Sequence, residues 1–302
     1  MDDILLIPDL RRRGLAGDEV RALVRARELV HVRRGAYALP GPDEESTTLE
    51  WRHRRLVSAT VAQLGAGAVV SHGSAAVLHG LPVWSRTIAR VHVTRDRSHG
   101  AKRRGVVEVH AAPLGRDDVT VLDGVAVTTL ARTTADLART LPHPQAVAVA
   151  DAALAQGLNR DELDATAASM SHWPGVRQAR RVLAFADARS ESPGESVSRV
   201  LIDARLPTPE LQQDIADPRG KVVARVDFRW PGHRTVGEFD GKHKYGRLLL
   251  PGQPPGDVVY AEKRREDKIR DLGEQVVRWV WDELDTFEVV VDRLLRAFER
   301  SR

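Results

Sequence analysis

The chain contains no cysteine. Disulfides, thiolate zinc sites and cysteine nucleophiles are therefore excluded. No apolar run approaches the ~20 residues that span a bilayer, so no membrane partner is expected. The opening Met1-Asp2-Asp3-Ile4-Leu5-Leu6-Ile7-Pro8 lacks the basic flank and long apolar stretch of a secretory signal. Cytoplasm is the expected location. Lysine is scarce: it stands at positions 102, 221, 242, 244, 263 and 268, six of 46 basic residues, which leaves 40 arginines. Four of the six fall between 242 and 268. Arginine stays charged and is a poor proton acceptor, so a lysine cluster in such a chain hints at lysine chemistry.

What is present is ordinary in bulk. A composition 42% hydrophobic and 29% charged is that of a soluble protein, and 302 residues suggest two or three domains. The formal net charge of +4 permits nucleic-acid binding without establishing it. Basic residues are clustered, at Arg11-Arg12-Arg13, Arg33-Arg34, Arg52-His53-Arg54-Arg55, Lys102-Arg103-Arg104 and Lys263-Arg264-Arg265. Any one of these alone reads as a solvated face.

Residues 1–41 read as a small helical unit ending in a hairpin. Ile4, Leu5 and Leu6 are expected to open a short helix that ends near Gly14. Leu15, Val20, Leu23 and Val24 recur at helical spacing behind a weak cap at Ala16. Glu28 to Leu39 reads as two short strands around a basic turn closed by Gly35. Helix, helix and basic hairpin are the outline of a winged helix, with Arg33 and Arg34 placed to touch phosphate. Gly41 to Ser46 is a linker by composition. The segment 46–187 then alternates helices with strands at Arg90–Thr94, Val106–His110 and Val125–Val127. His72 and His79 lack metal-pair spacing and a nearby carboxylate, and read as packing or capping residues. Ser71 and Ser74 read as helix caps.

Ser190-Glu191-Ser192-Pro193-Gly194 marks a second boundary, and 190–302 has a different character. Ser192 to Ser196 opens a helix whose expected apolar face is Val197, Val200, Leu201 and Ala204. Val222–Trp230 and Thr235–Gly241 read as a hairpin around Pro231-Gly232. Asp227 and Glu238 would then point from adjacent strands into one space. Hard carboxylate oxygens in that placement suit Mg²⁺ or Mn²⁺.

Two resemblances sharpen this outline. The pattern from Gly14-Leu15 through Glu28-Leu29-Val30-His31-Val32-Arg33-Arg34-Gly35-Ala36-Tyr37 resembles the N-terminal domain of the AbiEi family of antitoxins. The Ser71-His72-Gly73-Ser74-Ala75-Ala76 block and Val127-Thr128-Thr129-Leu130-Ala131-Arg132-Thr133 extend that resemblance into the middle region. It implies DNA as partner and a regulatory scaffold, and it admits a homodimer and a cognate toxin. The C-terminal blocks Ser192-Pro193-Gly194-Glu195-Ser196, Val226-Asp227-Phe228, Glu238-Phe239-Asp240-Gly241-Lys242-His243-Lys244-Tyr245, Glu262-Lys263-Arg264-Arg265-Glu266 and Leu272 to Trp279 resemble domains related to very-short-patch-repair endonucleases. The implied core is of the PD-(D/E)XK, restriction-endonuclease-like type. By that resemblance Asp227, Glu238 and Asp240 hold metal, Glu195 is the helix carboxylate beside them, and Lys244 is the candidate lysine, with Lys242 and Lys263 behind it. Arg265 and Arg278 are phosphate contacts. Asp240 stands where the usual lysine would be. The expected class is thus a multidomain α+β protein: winged helix, α/β middle domain and nuclease-like α/β core. Two functions follow as alternatives, a Mg²⁺-dependent DNA endonuclease or a non-catalytic antitoxin-like regulator with a degenerate nuclease fold.

Overall fold

The computed structural model describes residues 4–41, 48–64, 67–97, 100–241 and 255–301. The class is multidomain α+β, with three sheets among the described residues. The chain forms two compact units, Met1–Thr140 with Leu158–Arg180, and Leu141–Gly157 with Arg181–Arg302. The segments 1–41, 46–187 and 190–302 expected from sequence group differently here: the first shares a unit with the second, and one helix of the second belongs with the third.

The first unit begins with β1 (Ile4–Leu6), α1 (Ile7–Arg12), α2 (Gly17–Arg25), β2 (Val30–Arg33) and β3 (Ala36–Ala38). Ile4 to Leu6 are extended, not helical as expected, because their backbone pairs with Ala36 to Ala38 in a sheet ordered β1-β3-β2. Helix α2 starts at Ala16, which has no side-chain oxygen, and Glu19 reaches back to the Ala16 N–H at 2.6 Å. Leu10, Val20 and Leu29 form a small core with Leu5, Leu23 and Tyr37 around it.

Thr48 then caps α3 (Leu49–Val61) through the Trp51 N–H. A six-stranded mixed sheet follows, ordered β6-β7-β5-β4-β9-β8. Its strands are β4 (Val69–Val70), β5 (Val91–Asp96), β6 (Lys102–Arg104), β7 (Val107–Ala112), β8 (Val119–Leu122) and β9 (Val125–Thr128), with α4 (His72–His79) between β4 and β5. Val57, Val70, Val91, Val93, Val107 and Val127 make its core. The basic run Lys102-Arg103-Arg104 is an exposed edge strand, where charge discourages unwanted pairing. Helices α5 (Leu130–Thr140) and α7 (Arg160–Ser169) complete the unit, and α8 (Val176–Phe185) runs across its boundary.

The second unit holds α6 (His143–Ala155), α9 (Pro193–Asp203), and a sheet of β10 (Glu210–Ala216), β11 (Val222–Trp230), β12 (Thr235–Asp240) and β13 (Gln275–Val280) in that spatial order. Helices α10 (Pro255–Asp271) and α11 (Glu288–Arg300) follow β12 and β13 respectively. The first three strands are antiparallel and β13 runs parallel to β12. Phe228, Trp230, Phe239, Trp279, Phe287 and Phe298 dominate the core, at about 1.5–3 kcal/mol for each large apolar side chain withdrawn from water. Two glycines make this packing possible. A Cβ on Gly194 would lie 1.9 Å from the Phe239 ring, and one on Gly237 2.6 Å from Trp279.

Helix α9 does not bury the face expected of it. Gly194, Glu195, Ser196, Ser198, Arg199 and Ile202 are buried, while Val197 and Val200 are only half-buried. The reason is that α9 touches both α6 and the sheet. Arg199 Nη2 bridges both carboxylate oxygens of Asp151 of α6 at 2.9 and 2.8 Å, and Ser198 Oγ accepts from Trp279 Nε1 at 2.7 Å. Burial raises the Asp151 pKa, against the lowering by Arg199.

Candidate functional site

The carboxylates singled out in the C-terminal half gather where α9, β10, β11 and β12 meet. Ser192 caps α9 by accepting from the Glu195 N–H at 3.2 Å, and its hydroxyl donates to Glu195 Oε1 at 2.7 Å. Glu195 Oε2 accepts from the Glu191 N–H at 2.9 Å and from Gln212 Nε2 at 2.8 Å. Gln212 also reaches Asp227 Oδ1 at 3.4 Å, and its own carbonyl accepts from Arg225 at 3.0 Å. One amide thus links the helix carboxylate to the strand carboxylate. Gln212 has φ +53, rare for a residue with a side chain and worth roughly 1–3 kcal/mol of strain. Sequence reasoning passed over Gln212, because a polar residue on an expected strand carries no sign of its backbone angle.

Asp227 and Glu238 come next. The register of β11 with β12 runs from Trp230 opposite Thr235 to Phe228 opposite Gly237, and Asp227 and Glu238 are the next residues along the two strands. Asp227 Oδ2 accepts from the Phe239 N–H at 2.8 Å. Alternation puts Asp240 on the Glu238 face of β12. Glu238 is buried, with Arg265 of α10 at 2.7 Å on one oxygen and Arg278 of β13 at 2.8 Å on the other. Arg278 stands opposite Glu238 in the parallel register. Both arginines named as phosphate contacts therefore hold a carboxylate. Lys242 and Lys244 lie outside the described residues, and Lys263 is exposed on α10. Among the described residues, Glu195, Asp227, Glu238 and Asp240 do not bring three ligand atoms within 4.8 Å of one another. Beside this cluster Arg270, Arg278, Arg293, Arg296 and Arg300 line a groove of about 320 Å³.

The N-terminal pair Arg33 and Arg34 divides. Arg33 turns inward, donating to Thr60 Oγ1 of α3 at 2.6 Å, and burial lowers its pKa. Arg34 is exposed, and its backbone carbonyl accepts from Gln63 at 3.0 Å. Helix α2 also exposes Arg21 and Arg25, and Arg11 to Arg13 are exposed beside it.

The histidines and serines of the middle region take specific partners. His79 Nε2 lies 2.8 Å from the Thr128 carbonyl. Ser71 occupies the cap position of α4 but makes no side-chain cap, since its Oγ accepts from Thr94 Oγ1 at 2.8 Å. Ser74 is inside the helix, 2.8 Å from His53 Nε2 and accepting from the His92 N–H at 2.8 Å. His72 is buried and stacked on His110.

Over 277 residues, spanning 91% of this chain, the sequence is 32% identical to two proteins of Mycobacterium tuberculosis, uncharacterized protein MT2308 of strain CDC 1551 / Oshkosh and uncharacterized protein Rv2248 of strain ATCC 25618 / H37Rv. The match covers 94% of each relative. This chain belongs to their family. Their names state no activity, so membership establishes kinship and leaves chemistry to the site. No family model matches the sequence. The crystal structure of the RV2827C protein from Mycobacterium tuberculosis aligns with 71% of this chain and 84% of its own, at 18% identity and a TM-score of 0.41, a likeness too distant to inform function.

Proposed function

We propose that the chain binds duplex DNA and that its second unit is a restriction-endonuclease-like module for divalent-metal phosphodiester hydrolysis, joined to an AbiEi-like winged-helix front. The observation that carries this reading is the hydrogen-bonded series Glu195, Gln212, Asp227, whose last member also accepts from the N–H of Phe239, the residue after Glu238. The strained backbone of Gln212, between two carboxylates, supports a functional reading of this cluster. The donors fit a hard cation in kind: Asp227, Glu238 and Asp240 would hold Mg²⁺ or Mn²⁺ through oxygen. When bound, such an ion polarises a phosphate and lowers the pKa of an attacking water. The chain's own residues do the positioning. Gln212 and the Phe239 N–H fix the Asp227 carboxylate, and Arg265 and Arg278 fix Glu238 while lending positive charge to an approaching phosphate. The arginine-lined groove beside the cluster suits a phosphate backbone.

The test is cleavage of supercoiled, single-stranded and mismatched DNA by the full chain with Mg²⁺ or Mn²⁺. Nicking that Asp227→Ala abolishes while DNA affinity is retained supports the reading. One observation favours a second reading: both Glu238 oxygens are already engaged by guanidinium groups, which compete with a metal. DNA binding without cleavage under any metal would select that binding-only module, an antitoxin-like regulator, with Asp240 in the usual lysine position as a cause.

A further inference from the structure

A separate group of ligand side chains lies on the six-stranded sheet of the first unit. Strands β5 and β7 run parallel, with His92 opposite Glu108 and Thr94 opposite His110. Alternation sets His92, Glu108 and His110 on the face opposite the core valines Val91, Val93 and Val107. Their ligand atoms all lie within 4.8 Å of one another, and all three residues are half-buried. His92 Nδ1 is 2.9 Å from His110 Nε2. Over them sits His72, the first residue of α4, buried at φ +49 with its ring 3.7 Å from that of His110. Its Nδ1 lies 3.1 Å from Ser71 Oγ. Glu108 pairs with Arg103 of the edge strand at 3.0 Å.

We propose that His92, Glu108 and His110 form a Zn²⁺ site. Two imidazoles and one carboxylate are a zinc donor set, and three protein ligands leave a fourth position for water. At a Zn–N distance of about 2.0–2.1 Å the present nitrogen separation subtends about 90°, and opening it to about 3.4 Å reaches the tetrahedral angle. Half an ångström of rotamer movement achieves that. The proton now shared between the two rings need not leave the protein, since the donor ring can carry its N–H on the other nitrogen. Arg103 is 70% exposed, so it can release Glu108 to the ion and turn to solvent. The positive φ of His72, whose ring stacks on that of His110, is backbone strain of the kind that accumulates at ligand sites.

The experiment uses the full chain stripped with a chelator. With Mg²⁺ in excess to occupy the carboxylates of the second unit, calorimetry should show one Zn²⁺ per chain, with a rise in the thermal unfolding midpoint. His92→Gln and His110→Gln should each weaken binding by more than about tenfold, the scale on which even supporting residues tune metal affinity. Arg103→Gln should tighten binding several-fold by removing a competing cation. X-ray absorption of the zinc-loaded wild type should show two imidazole ligands, which decides the matter even where a histidine variant fails to fold. Absence of zinc binding, an unaltered affinity in both histidine variants, or a zinc shell without imidazole would each overturn the assignment.

Discussion

His53 lies buried on α3 with its Nε2 2.8 Å from Ser74 Oγ, and burial holds its pKa down to about 4, against a partial rise from the Ile88 backbone. The sign of its effect on stability follows. Above about pH 6.5 the imidazole is neutral in both folded and unfolded chains and adds no pH dependence. Below that, the unfolded chain takes up a proton that the folded one refuses, so stability falls with pH until the folded ring also protonates near pH 4. At about 1.36 kcal/mol per pH unit the ceiling is roughly 3 kcal/mol. His53→Gln keeps a polar tip near Ser74 and removes the titration. Its urea midpoint is expected to fall less than that of wild type between pH 7 and pH 5. Equal losses in the two proteins would exclude His53 as a source. The other buried imidazoles, with pKa values also lowered by burial, should leave a residual slope in the variant.

Strand β10 holds Leu211 and Ile215 in the core while Gln212 between them takes a positive φ. Glycine ordinarily weakens a strand relative to alanine, but here the backbone angle reverses that order. Gln212→Gly should therefore be more stable than Gln212→Ala by about 1 kcal/mol in urea unfolding. Both variants should lose Mn²⁺ affinity, since both remove the amide that joins Glu195 to Asp227. Alanine equal to or more stable than glycine would mean that the strain is absent in solution. The same strand shows where sequence stops being informative. Period-two alternation and Pro231-Gly232 mark β11 and β12, because hairpins are written in neighbouring residues. The Ser192–Glu195 cap is local as well, and it stands where the Ser-Pro-Gly-Glu spacing puts it. Ile4 to Leu6 mislead, because their strand partner lies some thirty residues on. The buried polar face of α9 is invisible for a similar reason: Asp151 and Trp279 come from distant segments. His72, His92, Glu108 and His110 converge only through the parallel pairing of β5 with β7 and the placement of α4, so His72 read alone shows no partner carboxylate.

Charge over the whole molecule is nearly balanced, so its distribution matters more than its sum. Between Ile4 and Gly41 stand eight arginines and four acids. Arg11, Arg12, Arg13, Arg21, Arg25 and Arg34 are exposed there, whereas Arg33 is tied to Thr60. A phosphate-binding surface made this way gains affinity by releasing counterions, and each neutralised phosphate contributes about 0.9 to the slope of log K against log salt. The two neighbouring arginines should then separate cleanly in the full chain. Arg34→Ala should weaken binding to unrelated duplexes alike and reduce the slope by roughly one, with stability unchanged within about 0.5 kcal/mol. Arg33→Ala should leave the slope as it is and cost roughly 1–2 kcal/mol of stability, because it removes a part-buried hydrogen bond from a charged donor. Fluorescence anisotropy over a salt series and urea melts read both quantities. A slope change in Arg33→Ala without one in Arg34→Ala would mean that the hairpin meets DNA with its other side. Binding that ignores salt, or no binding at all, would remove the hairpin and α2 from the DNA reading and leave the arginine-lined groove of the second unit as the surface to test.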